Sequence, residues 1–429
     1  MRWRWNSSPS ATGRGRARRR VLLGAITSLL ALAAVEASSA IGIALVESVG
    51  GIDVPRTTEI YRDQSDRIRH YLRRPAERRD VLDPVLGWRY RAGHRSERDE
   101  LNSQGLRSRR EYAAVPAPGT LRVAAFGDSF VYCNEVANTD AWPSLIEEMH
   151  TGVEMLNYGV GGYGTDQAYL RYQAEGRALS PHIVLIGFAP VDLPRVVNVY
   201  RRFLHHEEYA LVKPRFDFAP DGSLELLPNP YTTVAHYERV LAQPQAVLAL
   251  GLHDQWYERA MYENPLYDWS ATVRLLTVFW SKAANRYFSH DRLIRDGVFD
   301  SSSTAFRIQA AIVQRFAREV RDAGATPIVL MLPDASSIER ASHGEPLVYE
   351  PLTAHLRAGG IEVIDVINAF TTEEAFPGAA PWFASGGHYS PEGNRVVSAW
   401  LGGILTDRAR AHGRLGSAYP PDGASGTSR

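Results

Sequence analysis

Residues 121–129 read LRVAAFGDS, a short apolar run that leads directly into Gly127, Asp128 and Ser129. An unbroken apolar run of this length is typical of a buried strand, and the glycine after it marks a tight turn. Strands that are buried on both faces occur mainly in parallel sheets that helices cover on each side. We therefore expect an α/β protein whose polar residues gather where this strand ends.

Four further segments of the chain repeat this pattern. They are residues 153–156, 183–188 (IVLIGF), 327–332 (PIVLML) and 361–366 (IEVIDV). Helical spacing separates them, notably over residues 140–149 and over residues 304–323, where Ser303 is placed to act as the N-cap. Strands that alternate with helices in this way predict a doubly wound, mostly parallel sheet of five strands.

Composition and charge narrow the class of function. The chain of 429 residues is 45% hydrophobic and 22% charged, as is ordinary for a globular protein. Its 48 Lys and Arg residues balance its 48 Asp and Glu residues. Phosphate binding depends on clustered basic residues, so we expect no nucleic-acid partner. Cys133 is the single cysteine, which excludes an intramolecular disulfide and a metal site built from several cysteines.

The amino terminus predicts export. Residues 1–20 contain seven arginines and no acidic residue, and residues 21–46 are predominantly apolar. About 20 apolar residues span a bilayer as a helix, and basic flanks stay in the cytoplasm. We expect a basic cytoplasmic segment at 1–20 and a single-pass signal anchor in the cell membrane at 21–46, with the rest of the chain on the extracytoplasmic side. Glu36 is costly within such a span unless it lies near the interface.

Two other export signals fit the same segment. The sequence Ala-Ser-Ser-Ala ending at Ala40 resembles a signal-peptidase site, which would yield a secreted or periplasmic protein. The sequence RRRVL at residues 18–22 loosely resembles a twin-arginine signal.

The remaining chain divides into three parts. Residues 47–118 are charged and predict a stalk and an irregular lead-in, residues 119–410 hold the sheet domain, and residues 411–429 predict a disordered tail rich in Gly, Ser and Pro. An insertion at about residues 195–300 begins with a hairpin over residues 209–227 that turns at Asp221-Gly222, and helical sequence follows. This insertion fits either a lid over the sheet or additional scaffold.

Three blocks of the sequence carry candidate chemistry. The blocks are Gly127-Asp128-Ser129, residues 157–162 (NYGVGG) and residues 386–394 (GGHYSPEGN). They resemble, in sequence and in order, the blocks of the SGNH/GDSL hydrolase family. The chain resembles this family over residues 84–405, which implies its flavodoxin-like fold. The resemblance implies Ser129 as nucleophile, His388 as general base, and the backbone N–H groups of Ser129 and Gly162 as oxyanion donors. These roles agree with the chemistry, because a serine hydroxyl needs a base to take its proton. Taken singly, the same residues fit simpler roles, such as Ser129 capping a helix.

Two positions depart from the family pattern. Val191 stands where the family has an asparagine that donates to the oxyanion, and Ser385 and Gly386 stand where the family has the aspartate that orients the histidine. Loss of one oxyanion donor costs about 100- to 1,000-fold in rate, and loss of the aspartate about 10⁴-fold. The residues that we consider for supporting roles are Asp128, Asp192, Asp365 and Ser385.

The resemblance implies an exported serine esterase that cleaves an O-acyl ester on an envelope glycan, a lipid or a small molecule, with no metal and no organic cofactor. Alternatives are an O-acyltransferase in polysaccharide modification, a catalytically weakened binding or scaffold protein, and a flavodoxin-like binding domain, which leaves His388 unexplained. The sequence His205-His206-Glu207-Glu208 contains metal-ligand residue types, but a solvated turn fits it better. We interpret Cys133 as a small buried side chain and not as a second nucleophile.

Overall fold

The computed structural model describes residues 11–73, 77–284, 287, 289, 291–371 and 378–411. Most of the predicted tail at 411–429 and the first half of the predicted basic segment lie outside these residues. The helices are α1 (Ala11–Gly50), α2 (Thr57–Leu72), α3 (Ser129–Tyr132), α4 (Trp142–Met149), α5 (Thr165–Glu175), α6 (Arg201–Leu204), α7 (Val234–Ala242), α8 (Arg259–Tyr262), α9 (Ala271–Ala283), α10 (Thr304–Asp322), α11 (Ala335–Ser342), α12 (Glu350–Ala358), α13 (Ile367–Phe370) and α14 (Pro391–Ala411). The strands are β1 (Asp80–Asp83), β2 (Gly87–Tyr90), β3 (Leu121–Gly127), β4 (Val153–Gly159), β5 (Ile183–Phe188), β6 (Arg215–Phe218), β7 (Leu224–Leu227), β8 (Ile294–Arg295), β9 (Val298–Phe299), β10 (Thr326–Met331) and β11 (Glu362–Asp365).

The five predicted buried strands form one sheet in the order β11-β10-β5-β3-β4. Every neighbouring pair is parallel. The predicted α/β class and the five-stranded parallel sheet are therefore confirmed. Because all five strands run the same way, their carboxyl ends meet at one edge, which is where open α/β sheets bind ligands.

Both faces of the sheet are covered, as the apolar runs predicted. All residues of β3 are buried. On one face Val123 joins a core cluster with Trp142 of α4 and Leu401 of α14. On the other face the ring of Phe126 stacks on Tyr158 and meets the edge of Tyr172 of α5. Alternate side chains of one strand thus fill two different cores.

The structure departs from the sequence expectation in two places. Strand β4 was expected over residues 153–156 but continues to Gly159, because Asn157, Tyr158 and Gly159 pair with the last three residues of β3. The lead-in was expected to be irregular, yet β1 and β2 form an antiparallel hairpin in which Trp88 is fully buried. In a charged segment, four residues are too few for the alternation of apolar and polar side chains that identifies a strand.

Two local predictions within the helical and inserted sequence are confirmed. The hydroxyl of Ser303 accepts a hydrogen bond from Phe306 N (3.2 Å) and caps α10. Strands β6 and β7 form the expected antiparallel hairpin, with Gly222 in its turn at φ +82°.

The chain divides into two compact units. One unit comprises residues 1–63 and 258–289, and the other comprises residues 64–257 and 290–429. The insertion at about residues 195–300 is therefore shared between them. Within the first unit, the part of α1 from Arg16 to Val49 is long and apolar enough to cross a membrane, a property that signal sequences share.

Candidate active site

The nucleophile candidate Ser129 lies in the turn that follows β3. Asp128 caps α3, its Oδ1 atom accepting a hydrogen bond from Phe130 N (2.8 Å). A side chain at Gly127 would have its Cβ only 2.4 Å from Val131 Cγ2, so the turn needs glycine there. This tight strand-to-helix connection leaves Ser129 as the first residue of α3, at the carboxyl edge of the sheet.

His388 is presented by a tight turn near the end of the chain. Ala384 N donates to His388 O (2.8 Å) and Gly387 N donates to Ala384 O (3.0 Å), with Gly387 at φ +86°. The ring of His388 lies beside that of Phe130, at 5.2 Å between centroids. In this position His388 Nε2 is 2.7 Å from Ser129 Oγ. The structure thus brings together two predicted residues that are separated by 259 positions in the sequence.

A carboxylate that sequence reasoning missed completes the chain of hydrogen bonds. Glu135 Oε1 is 2.5 Å from His388 Nδ1. The same carboxylate accepts hydrogen bonds from His388 N (3.3 Å) and from Gly386 N (2.9 Å). Burial raises the pKa of Glu135, but these hydrogen bonds outweigh it, so the pKa is lowered and the group is ionised near neutral pH.

Gly386 explains how a glutamate from another segment replaces the expected aspartate. A Cβ atom at residue 386 would lie 2.4 Å from Glu135 Oε1. Because residue 386 has no side chain, the Glu135 carboxylate can occupy the space beside its backbone. Two features of the sequence indicate this replacement indirectly. Gly386 stands where the family has the aspartate, and an acidic residue, Glu135, follows Ser129 by six positions.

Arg107 holds the segment that carries Glu135. Helix α3 ends at Tyr132, and Cys133 after it adopts the left-handed conformation at φ +63°. The buried guanidinium of Arg107 donates to the carbonyl oxygens of Tyr132, Cys133 and Val136, with the last contact at 2.5 Å. These bonds fix the backbone on both sides of Glu135.

The predicted supporting residues have other partners. Asp192 accepts hydrogen bonds from Ala189 N (2.9 Å) and Arg195 Nη1 (2.7 Å). Burial raises the pKa of Asp192 well above the usual range. Asp365 accepts hydrogen bonds from Tyr349 Oη and Ile367 N, and burial raises its pKa.

The two remaining supporting candidates, Asp128 and Ser385, lie nearer to Ser129 and His388. Asp128 Oδ2 is 3.4 Å from Ser129 Oγ and 3.4 Å from Arg195 Nη1. Ser385 is exposed. Among the described residues, Glu135 is the only carboxylate that contacts the His388 ring.

Ser129 and Gly162 are the residues predicted to donate to an oxyanion, and Val191 stands where the family pattern has a third donor. Gly162 has φ +78°, and a Cβ atom there would lie 2.9 Å from the Tyr209 ring. Neither Ser129 N nor Gly162 N donates a hydrogen bond to another described residue. Val191 is 41% exposed and has no polar atom in its side chain. Two backbone donors are thus available where the family pattern has three donors.

The remaining titratable candidates are Cys133, His205 and His206. Burial raises the pKa of Cys133 to about 12, so its thiol is a poor nucleophile at neutral pH. Burial also lowers the pKa of His205, and it lowers the pKa of His206 to about 4. In the described part of the chain, no three His, Cys, Asp or Glu residues are grouped to hold a metal ion.

Comparison with known proteins gives structural resemblances only. No family model matches the chain, and no curated protein matches its sequence. Among solved structures, it is similar to a putative lipolytic protein of the G-D-S-L family from Desulfitobacterium hafniense at 12% identity and a TM-score of 0.32, over 66% of this chain and 99% of that one.

Two further solved structures give the same picture. A putative acylhydrolase from Bacteroides fragilis matches at 12% identity and a TM-score of 0.34, over 68% of this chain and 90% of that one. A lipase/acylhydrolase from Enterococcus faecalis matches at 15% identity and a TM-score of 0.33, over 67% of this chain and 97% of that one. At these values the likeness assigns no activity to this chain.

Proposed function

We propose that this protein is a serine ester hydrolase in which Ser129, His388 and Glu135 form the catalytic triad. The observation that carries the proposal is the unbroken chain of hydrogen bonds from Ser129 Oγ to His388 Nε2 (2.7 Å) and from His388 Nδ1 to Glu135 (2.5 Å). A serine hydroxyl, an imidazole and an ionised carboxylate in this order are recognised as a nucleophilic unit by geometry and not by sequence position.

The geometry supports a two-step acyl transfer. Ser129 Oγ attacks the ester carbonyl carbon while His388 Nε2 takes the hydroxyl proton, and the N–H groups of Ser129 and Gly162 stabilise the oxyanion. The imidazolium then gives its proton to the leaving alcohol as the carbon–oxygen bond breaks. Water repeats the sequence on the acyl-enzyme, releasing the carboxylic acid and the free serine. Glu135 keeps the proton on Nδ1 and stabilises the imidazolium in both steps.

The test uses the full-length protein purified in detergent. We expect hydrolysis of p-nitrophenyl acetate and covalent labelling by a fluorophosphonate, with both lost in Ser129→Ala. The matched control is Ser336→Ala, since Ser336 is exposed and its hydroxyl donates to Asp334. Folded parent protein that stays unlabelled, or labelling that persists in Ser129→Ala, contradicts the proposal and favours a binding or scaffold role for the fold.

We propose further that α1 is retained as a membrane anchor. Glu36 accepts a hydrogen bond from Ala271 N (2.8 Å), and Ser39 accepts one from Thr272 Oγ1 (3.0 Å). Cleavage after Ala40 would remove both partners, which argues against a released form. Retention of α1 favours an ester on a membrane lipid or an envelope glycan as substrate. N-terminal sequencing of the protein from both the membrane fraction and the soluble fraction tests this, because a chain that begins after Ala40 contradicts it.

A further inference from the structure

A polar cap joins α1 to the beginning of α9. The Glu36 carboxylate accepts hydrogen bonds from Ala271 N (2.8 Å), from Thr272 N (3.4 Å) and from the hydroxyl of Ser270. Backbone N–H groups in the first turn of a helix lack partners within the helix, and the helix dipole favours a negative charge there. The one carboxylate of the apolar segment thus satisfies the free donors of a second helix.

Apolar contacts continue the pairing beyond this cap. Ile43, Val54 and Ala271 form a small buried cluster, with Val46, Ile52, Leu275 and Val278 packed against it. The two helices are also close at Gly42, where a Cβ atom would lie 3.4 Å from Leu275 Cδ2. The contacts follow the same order along both helices, so α9 runs beside the carboxyl-terminal half of α1 in the same direction.

The outward face of α9 is apolar. Leu276 is 64% exposed and Trp280 is 64% exposed, and these residues are one helical turn apart. Phe279 and, just before the helix, Trp269 are also exposed. The charged residue within this stretch, Arg274, points inward and donates to Asp268 O (3.2 Å). The apolar stripe of α9 therefore adjoins the exposed apolar surface of α1, and a combined patch of this kind indicates an interaction surface.

We propose that α9 is embedded in the extracytoplasmic leaflet of the membrane that α1 spans, with the stripe of Trp269, Leu276, Phe279 and Trp280 facing lipid. This inference rests on the proposed anchoring by α1. Glu36 follows Arg20 by 16 residues, or about 24 Å of helix, in a hydrocarbon core of about 30 Å. The carboxylate then lies near the outer boundary, where a charge is least costly. From there α9 rises toward the headgroups, where Trp280 is favoured and Lys282 reaches water.

Spin labels on single introduced cysteines test the proposal in the full-length protein, reconstituted into vesicles of phosphatidylcholine and phosphatidylglycerol. The test variants are Leu276→Cys and Trp280→Cys. Leu29→Cys, on the exposed surface of α1, is the lipid control, and Glu148→Cys, at an exposed charged residue of α4, is the water control. The parent protein, whose single cysteine is buried, measures background labelling.

We expect the label at Leu276 to collide with oxygen and to be shielded from a water-soluble nickel complex. The label at Trp280, nearer the headgroups, is expected to be shielded less than the label at Leu276 and more than the water control. Nickel access at both sites equal to that of the water control, with Leu29 still shielded, overturns the placement of α9 and leaves the anchor intact. Nickel access at Leu29 as well overturns both proposals. Shielding of Leu276 and Trp280 from both reagents indicates a protein partner and also overturns the lipid assignment.

Discussion

Substitution of Glu135 by glutamine tests the unpredicted member of the triad. Glu135 Oε1 accepts from His388 Nδ1 and His388 N, and Oε2 accepts from Gly386 N. A glutamine has one acceptor oxygen for these two positions. With its oxygen toward His388, the amide NH₂ faces the N–H of Gly386; with its oxygen toward Gly386, the NH₂ faces Nδ1 and imposes the tautomer that cannot take the serine proton.

The expected loss of kcat in Glu135→Gln follows from these two arrangements of the glutamine. In the first, the histidine keeps its tautomer but loses a charge-assisted hydrogen bond worth about 1.5–3 kcal/mol, or about 10- to 150-fold in rate. In the second, the loss approaches the 10⁴-fold cost typical of a misoriented triad histidine, a value of about 5–6 kcal/mol. We expect kcat for p-nitrophenyl acetate in Glu135→Gln to fall by about 10- to 10⁴-fold, with a smaller change in KM.

Three comparisons separate this role from a general effect on folding. Glu148→Gln changes an exposed glutamate on α4 and keeps the parental kcat. Glu135→Asp retains the charge with a shorter reach and recovers part of the loss. The double variant Ser129→Ala/Glu135→Gln is no slower than Ser129→Ala, because members of one catalytic unit are not additive. A folded Glu135→Gln variant with the parental kcat refutes the assignment.

Three further predictions concern the surroundings of the triad. Gly162→Ala places a Cβ atom 2.9 Å from the Tyr209 ring at φ +78° and is expected to lower kcat by about 100-fold or more. The control Gly222→Ala, at φ +82° with open space around it, is expected to keep the parental kcat. Equal effects of the two substitutions on kcat contradict an oxyanion role for Gly162. Arg107→Ala leaves buried carbonyl groups without donors and is expected to cost about 3 kcal/mol or more, measured as a lower thermal midpoint. Because burial lowers the pKa of His206 from 6.5 to about 4, the unfolded chain takes up a proton in that window that the folded chain does not. Stability therefore falls as the pH falls through this window, by about 3 kcal/mol at most, and a thermal-shift series shows a smaller fall in His206→Gln.

Local patterns were sufficient to predict the sheet. Each central strand is an uninterrupted apolar run, and the burial of all of β3 is the direct consequence of such a run. The hairpin of β1 and β2 escaped prediction, because Trp88 is buried by tertiary contacts, including a hydrogen bond from its Nε1 to Gly161 O (3.1 Å). A strand of four residues carries no period that would reveal those contacts.

The contact between Ser129 and His388 followed from the resemblance of the sequence blocks, whereas the partner of His388 did not. Asp192 and Asp365 are the acidic residues that the predicted strand ends favour as partners. In the structure burial raises the pKa of both carboxyl groups, and both accept hydrogen bonds from residues other than His388. The segment that carries Glu135 passes through a left-handed turn at Cys133. A non-glycine residue adopts this conformation uncommonly, so it could not be predicted from the sequence.

The placement of Glu135 changes how the site is held together. Where an aspartate precedes the histidine, acid and base share one segment and the nucleophile lies on another. In this protein the proposed nucleophile and acid share the segment from Ser129 to Glu135, whose end is fixed by Arg107, and the imidazole is inserted between them. Both hydrogen bonds of the imidazole therefore depend on the turn that presents His388. The glycine at residue 386 serves this arrangement directly, because it removes the side chain that would exclude Glu135 and supplies an N–H that holds its carboxylate.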